Sequence, residues 1–165
     1  MLSALLPLVT GPLLTAFLLA RRIAGIADHS ETRERNGYIA VPDDAADRVW
    51  LHGASNGELT SARPVVAGLL HRHPELRIVV TSNAASGRSL ALGWGYDRLS
   101  VGFAPIDSKA AVRRFLDRAQ PRAVIIVENE IWPNRLFECA RRGTPVAIIG
   151  ARMSDLAIST MREDN

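Results

Sequence analysis

Residues 121–134 read P-R-A-V-I-I-V-E-N-E-I-W-P-N. Ala123–Val127 is a continuous apolar run, the pattern of a strand covered on both faces of a parallel sheet. Working outward, Pro133 to Arg142 is predicted as a helix, with proline in its first turn and Gly143 ending it. Val146–Ile149 is the next strand. Upstream, Asp107 is a natural N-cap for a helix whose apolar face is Ala111, Val112, Phe115 and Leu116. Ser100–Phe103 is a weaker strand, Ser86 to Leu92 is helical, and Ile78–Thr81 is a strand. Glu58 to His73 carries a helical stripe of Leu59, Ala62, Val66, Leu69 and Leu70. Gly53–Gly57 is a turn, and Arg48–His52 is the first strand. Strand and helix alternate at the spacing of right-handed crossovers. The fold class is therefore α/β, a doubly wound, Rossmann-like parallel sheet with helices on both faces.

The amino terminus differs from this pattern. Leu2 to Ala20 carries no charge, close to the roughly 20 residues that span a bilayer as a helix. Arg21 and Arg22 follow, and no basic residue precedes, so the positive-inside rule places everything after them in the cytoplasm. A cleaved signal peptide would want a basic leading region, which is absent. The expected organisation is an anchor over residues 1–27, a polar connector over 28–47 and a Rossmann-like domain over 48–165. Asp28 to Gly37 reads as a juxtamembrane connector or an exposed helix.

Hydrophobic residues make up 47% of the chain and charged residues 22%, so it has the composition of a folded domain with a core. The net charge of +3 is small, and no basic run with interleaved aromatics appears, which argues against nucleic acid. Cys139 is the single cysteine, leaving neither a disulfide framework nor a Cys/His metal spacing.

In a doubly wound sheet, ligands bind at the carboxyl ends of strands where the strand order reverses. If the order is 3-2-1-4-5, strands one and four are neighbours there. Two dense polar loops then converge: G-A-S-N-G-E (Gly53–Glu58) and E-N-E-I-W-P (Glu128–Pro133). Ser55-x-x-Glu58 also reads as a capping box. A helix amino terminus favours negative charge, which suits a carboxylate used as a general base. Glu128 and Glu130 would point the same way along an extended segment, beside an apolar wall of Trp132 and Pro133. An ordinary polar loop pairing with arginines is the plainer reading of those two carboxylates.

Gly53–Gly57 also fits the G-x-S-x-G nucleophile elbow. A hydrolase needs an acid and then a histidine after the serine. The histidines are His29, His52, His71 and His73, and no aspartate lies between Ser55 and His71. A dinucleotide fingerprint and a Walker-type phosphate loop are both absent.

At these residues the chain resembles the 3-deoxy-D-manno-octulosonic acid (Kdo) transferase family. W-L-H-G-A-S-N-G-E resembles the family's G-S-x-G-E motif, and T-S-N-A-A-S-G (Thr81–Gly87) its T-x-T-x-T-G. F-A-P-I-D (Phe103–Asp107) resembles Y-x-P-x-D, V-E-N-E-I-W-P-N resembles E-T-E-[IL]-W-P-N, and G-A-R-M-S (Gly150–Ser154) resembles N-A-R-[LM]-S. Asn56, Asn129 and Gly150 depart from the family pattern. The resemblance implies the amino-terminal half of a two-domain GT-B glycosyltransferase. It implies transfer of Kdo from CMP-Kdo to a lipid A precursor at the cytoplasmic face of the inner membrane, in lipopolysaccharide biosynthesis. By resemblance, Glu58 is the general base, and Ser55, Gly57, Glu128, Glu130, Arg152 and Ser154 are substrate-binding. No metal or cofactor is implied. The family's donor-binding half has no counterpart in these residues, so the chain alone is expected to be inactive. The alternative is a membrane-anchored lipid-acceptor binding module, or a fragment without catalysis.

Overall fold

The computed structural model describes residues 29–128 and 132–150. In chain order the elements are α1 (His29–Arg35), β1 (Arg48–His52), α2 (Asn56–Arg72), β2 (Arg77–Ser82) and α3 (Ala85–Leu92). Then come β3 (Leu99–Phe103), α4 (Lys109–Ala119), β4 (Pro121–Val127), α5 (Pro133–Arg141) and β5 (Val146–Ile149). The strands pair in parallel in the order β3-β2-β1-β4-β5. The reversal falls between β1 and β4, as the loop argument requires.

Alternation along each strand feeds two cores. Trp50, Val79, Val124 and Ile126 face α4 and α5, where they meet Val112, Phe115, Leu116 and Cys139. Leu51, Ile78 and Val80 face α2 and α3, where they meet Leu59, Ala62, Val66, Leu70 and Ala91. Neighbouring Trp50 and Leu51 thus enter opposite cores, and both are fully buried. Each such buried side chain contributes roughly 1.5–3 kcal/mol of transfer free energy. The Trp50 and Phe115 rings lie 4.3 Å apart at a 42° tilt. The sheet is therefore wound on both faces, and the predicted stripes of α2 and α4 are the buried ones, with Leu69 only partly covered.

The polar segment ahead of β1 contributes to this body. α1 packs on edge strand β3, with Glu31 buried against Arg35 at 2.8 Å. Glu34 accepts the Phe103 N–H at 2.8 Å, and the Arg35 guanidinium sits 4.6 Å over the Phe103 ring. An element laid on an edge strand hides backbone groups that could otherwise pair with another chain. Gly37 has φ +89°, and a Cβ there would fall onto the Ala111 carbonyl oxygen and within 2.9 Å of the Phe115 nitrogen. Ile39, just beyond, is buried in the α4-side core.

One cap differs from expectation. Ser108, not Asp107, caps α4, accepting the Ala111 N–H at 3.3 Å. Asp107 is turned instead toward the start of α5.

The uncharged run expected to span a membrane lies outside the described residues. Among the described residues, no helix is long and apolar enough to cross one.

Candidate active site

β1 and β4 run side by side, with His52 in register with Ile126. Adjacent strands lie about 4.8 Å apart, so the segments leaving them start as neighbours. One leads to Glu58 and the other begins at Glu128.

The first segment is tightly organised. Gly53 N–H donates to the Thr81 carbonyl at 3.1 Å, which fixes the exit from β1. Ser55 is the N-cap of α2, and its Oγ accepts the Glu58 N–H at 3.3 Å. The Glu58 carboxylate reaches back, as in a capping box. It takes the Ala54 N–H on Oε2 at 2.7 Å and the Ser55 hydroxyl on Oε1 at 2.9 Å. The back-reach thus lands one residue ahead of the N-cap. Both oxygens are held, and each keeps a further lone pair. Glu58 is half-buried on an otherwise exposed corner of Ser55, Asn56 and Gly57. Gly57 lies within α2 with ordinary negative φ, and a Cβ there would meet nothing nearer than Ser55 Oγ at 3.9 Å. Neither backbone nor packing demands glycine there.

The second segment departs from an extended course. Glu128 has φ +59°, and its N–H donates to the Ile149 carbonyl at 2.7 Å. The strand alternation expected to carry Glu128 and Glu130 to one side therefore stops at Val127. A left-handed conformation costs a residue with a Cβ roughly 1–2 kcal/mol. Such strain persists where the surroundings over-determine it, commonly at functional sites. The Glu128 side chain is exposed and lies near the end of β5, its Cγ 3.9 Å from where a Gly150 Cβ would stand. Glu130, Arg152 and Ser154 lie outside the described residues.

Three features escaped the sequence reading. Asp107 Oδ1 accepts the Arg135 N–H at 2.9 Å, and Oδ2 accepts the Asn134 N–H at 3.1 Å. Asn134 Nδ2 returns bonds to the Asp107 carbonyl at 2.7 Å and to Oδ2 at 3.2 Å. Trp132, the N-cap residue of α5, makes no side-chain capping bond. Asp107 therefore supplies the cap from another loop, and both partners sit in motifs that were read separately. Second, Arg135 is 1% exposed with its guanidinium 5.1 Å over the Trp50 ring. Third, His52 is fully buried at the end of β1, its Nδ1 3.0 Å from Thr81 Oγ1, which also accepts Trp50 Nε1–H at 2.8 Å. This network ties the ends of β1 and β2 directly beneath the Glu58 segment.

Among the described residues, no group of three or more His, Cys, Asp or Glu side chains could hold a metal ion.

A family model described as 3-deoxy-D-manno-octulosonic-acid transferase (kdotransferase) matches residues 30–163. The chain belongs to the Kdo transferase family. Among its relatives, the 3-deoxy-D-manno-octulosonic acid transferase of Bordetella pertussis is 38% identical over 121 residues, covering 69% of this chain and 27% of that protein. The probable mitochondrial 3-deoxy-D-manno-octulosonic acid transferase of Arabidopsis thaliana is 32% identical over 147 residues, covering 87% and 32%. The Haemophilus influenzae transferase is 27% identical over 148 residues, covering 89% and 35%. The chain thus spans about a third of the length of these Kdo transferases. The matched stretch begins at residue 30, so α1 falls almost wholly within the family's domain.

Proposed function

We propose that this chain forms the acceptor-side half of a glycosyltransferase that moves Kdo from CMP-Kdo to a lipid A precursor. The reading adds a membrane anchor at the amino terminus, a GT-B partner domain for the donor and a location at the cytoplasmic face of the inner membrane. The observation that carries it is the exit of Glu58 and Glu128 from adjacent strands at the reversal of strand order, in a chain of this family.

Glu58 acts as general base. Its carboxylate removes the proton of the acceptor hydroxyl, and the oxygen forms a bond to the anomeric carbon of Kdo. The bond from that carbon to the CMP phosphate oxygen breaks, and CMP leaves with the electron pair. The two hydrogen bonds from Ala54 and Ser55 hold the carboxylate in one orientation before substrate arrives, which lowers the entropic cost of reaching the reactive geometry. Ser55, Gly57, Glu128, Glu130, Arg152 and Ser154 bind substrate. Gly57 leaves open the corner above Ser55 and Glu58, where an acceptor hydroxyl would approach.

The test grafts residues 30–163 into the Bordetella pertussis transferase in place of the matching stretch. Transfer is followed from CMP-Kdo to a lipid A precursor. The graft should be active, and Glu58→Gln should lower turnover by about 100-fold or more while leaving thermal stability nearly unchanged. Full activity in the Glu58→Gln graft would overturn the assignment.

A further inference from the structure

A cleft of about 390 Å³ lies between α1, the segment after it and α4, lined in part by His29, Arg33, Tyr38 and Arg118. None of its lining residues belongs to the segments that carry Glu58 and Glu128. Among the described residues, no carboxylate lines it. Among the described residues, Arg33, Arg114 and Arg118 form no ion pair, whereas Arg35, Arg48, Arg77 and Arg88 each meet a carboxylate. Arg114 Nε–H donates to the Asn36 carbonyl at 2.8 Å, and Arg118 Nε–H to the Ile39 carbonyl at 3.1 Å. The two guanidinium carbons stand 5.3 and 6.0 Å from the Tyr38 ring centroid. Each guanidinium is thus anchored through one N–H, with four left over. Tyr38, 44% exposed, offers an apolar ring with a polar tip.

We propose that this cleft binds the phosphate headgroup of an anionic membrane lipid. Arg33 and Arg118 contact the phosphate oxygens, and Tyr38 packs beside the glycerol. A guanidinium fork suits phosphate oxygens, and Arg118, already anchored on the Ile39 carbonyl, loses little freedom on binding. The sequence argues for a lipid source over a soluble one. His29 follows the uncharged run ending at Ala20 by nine residues (29 − 20). At full extension that connector reaches about 30 Å, so the cleft cannot stray far from a bilayer holding the run. The inference rests on the membrane-anchor part of the proposed function.

The test reconstitutes the full chain in lipid nanodiscs of phosphatidylcholine alone or with one third phosphatidylglycerol, and measures hydrogen exchange of the 29–40 peptide. Exchange should slow at least about threefold in the anionic discs, and the difference should shrink at high salt. Arg33→Glu should abolish it; that side chain makes no hydrogen bond or ion pair among the described residues, so the fold has no need of it. Arg33→Glu combined with Arg118→Glu should behave alike, while Arg63→Glu, at an exposed arginine on α2, should not. Equal exchange in both discs overturns the proposal. So does the same slowing in neutral discs on adding glycerol 3-phosphate, which would make the ligand a soluble phosphate. Failure of the anchor reading appears separately, as a chain that does not co-elute with neutral discs.

Discussion

Asp107 and Asn134 are joined by three hydrogen bonds: the Asp107 carboxylate takes both the backbone and side-chain N–H of Asn134, and the Asp107 carbonyl takes the side chain again. The loop after β3 thereby holds the first turn of α5, the helix that follows the Glu128 segment. Orphan N–H groups at a helix start need an acceptor, and tryptophan at the N-cap cannot be one.

Replacing Asp107 by alanine should therefore destabilise the protein by about 1–2 kcal/mol, the usual loss of an N-cap carboxylate. Ser108→Ala, which removes the cap of α4, should cost about 1 kcal/mol. Urea unfolding of the two variants and the double variant would measure both. Because Asp107 and Ser108 are adjacent, the double variant also measures the coupling between the two caps. An Asp107→Ala variant as stable as the parent would contradict the cross-loop cap.

Glu128 is held at φ +59°, where glycine carries no Cβ penalty. Glu128→Gly should raise unfolding free energy by about 1 kcal/mol. The same change should reduce transfer in the grafted enzyme, since it deletes a side chain proposed to meet substrate. Stability gained while activity is lost is the expected signature of strain kept for function. A variant that gains neither stability nor loses activity would remove Glu128 from the site.

Gly37→Ala should destabilise by more than about 2 kcal/mol, because the new methyl meets α4 backbone and the positive φ adds strain. Thermal melting and hydrogen exchange across residues 29–47 would report it. A variant melting like the parent would show that α1 and its following segment are not fixed against α4.

Glu138 is fully buried and accepts from Arg113 at 3.0 Å and Arg141 at 2.9 Å. Burial alone would push its carboxyl up, but the hydrogen bonds and charges of the two arginines outweigh that and hold it below the ordinary range. A carboxyl lowered by folding contributes stability that is present above its unfolded value of about 4.3. That contribution is lost as pH falls through the lower folded value. The melting temperature should therefore drop on acidification below about pH 4.3, and Glu138→Gln should flatten that drop. An acid limb of equal steepness in the variant would refute the assignment.

The strand and helix alternation was accessible from sequence because it followed from local signals, whereas the order β3-β2-β1-β4-β5 entered as a condition that the structure then met. The A-V-I-I-V run, the stripe of α2 and the glycine after α5 each act within a few residues, and right-handed crossovers leave few ways to assemble them. The neighbouring exits of the Glu58 and Glu128 segments held only on that condition, and the pairing of β1 with β4 supplies it. The capping role of Glu58 was visible too, since Ser55 and Glu58 are three positions apart. The Asp107 cap was not, because Asp107 next to Ser108 offers two equally good local caps for α4. Which one turns away is settled by α5, 26 residues on (133 − 107). The extended course expected at Glu128 failed for a similar reason: its N–H is claimed by Ile149, on a strand not yet formed when residues are read in order.

The amino-acid order by itself therefore determined the α/β alternation, the parallel sheet, the two buried stripes and the family. Tertiary structure alone decided that α1 packs on the β3 edge, that Asp107 serves α5, that Glu128 bends into left-handed backbone and that Arg114 and Arg118 meet at Tyr38. Periodicity and helix caps are written in contacts between residues a turn or a strand apart. Hydrogen bonds and charges between distant segments exist only once packing of the core has brought those segments together.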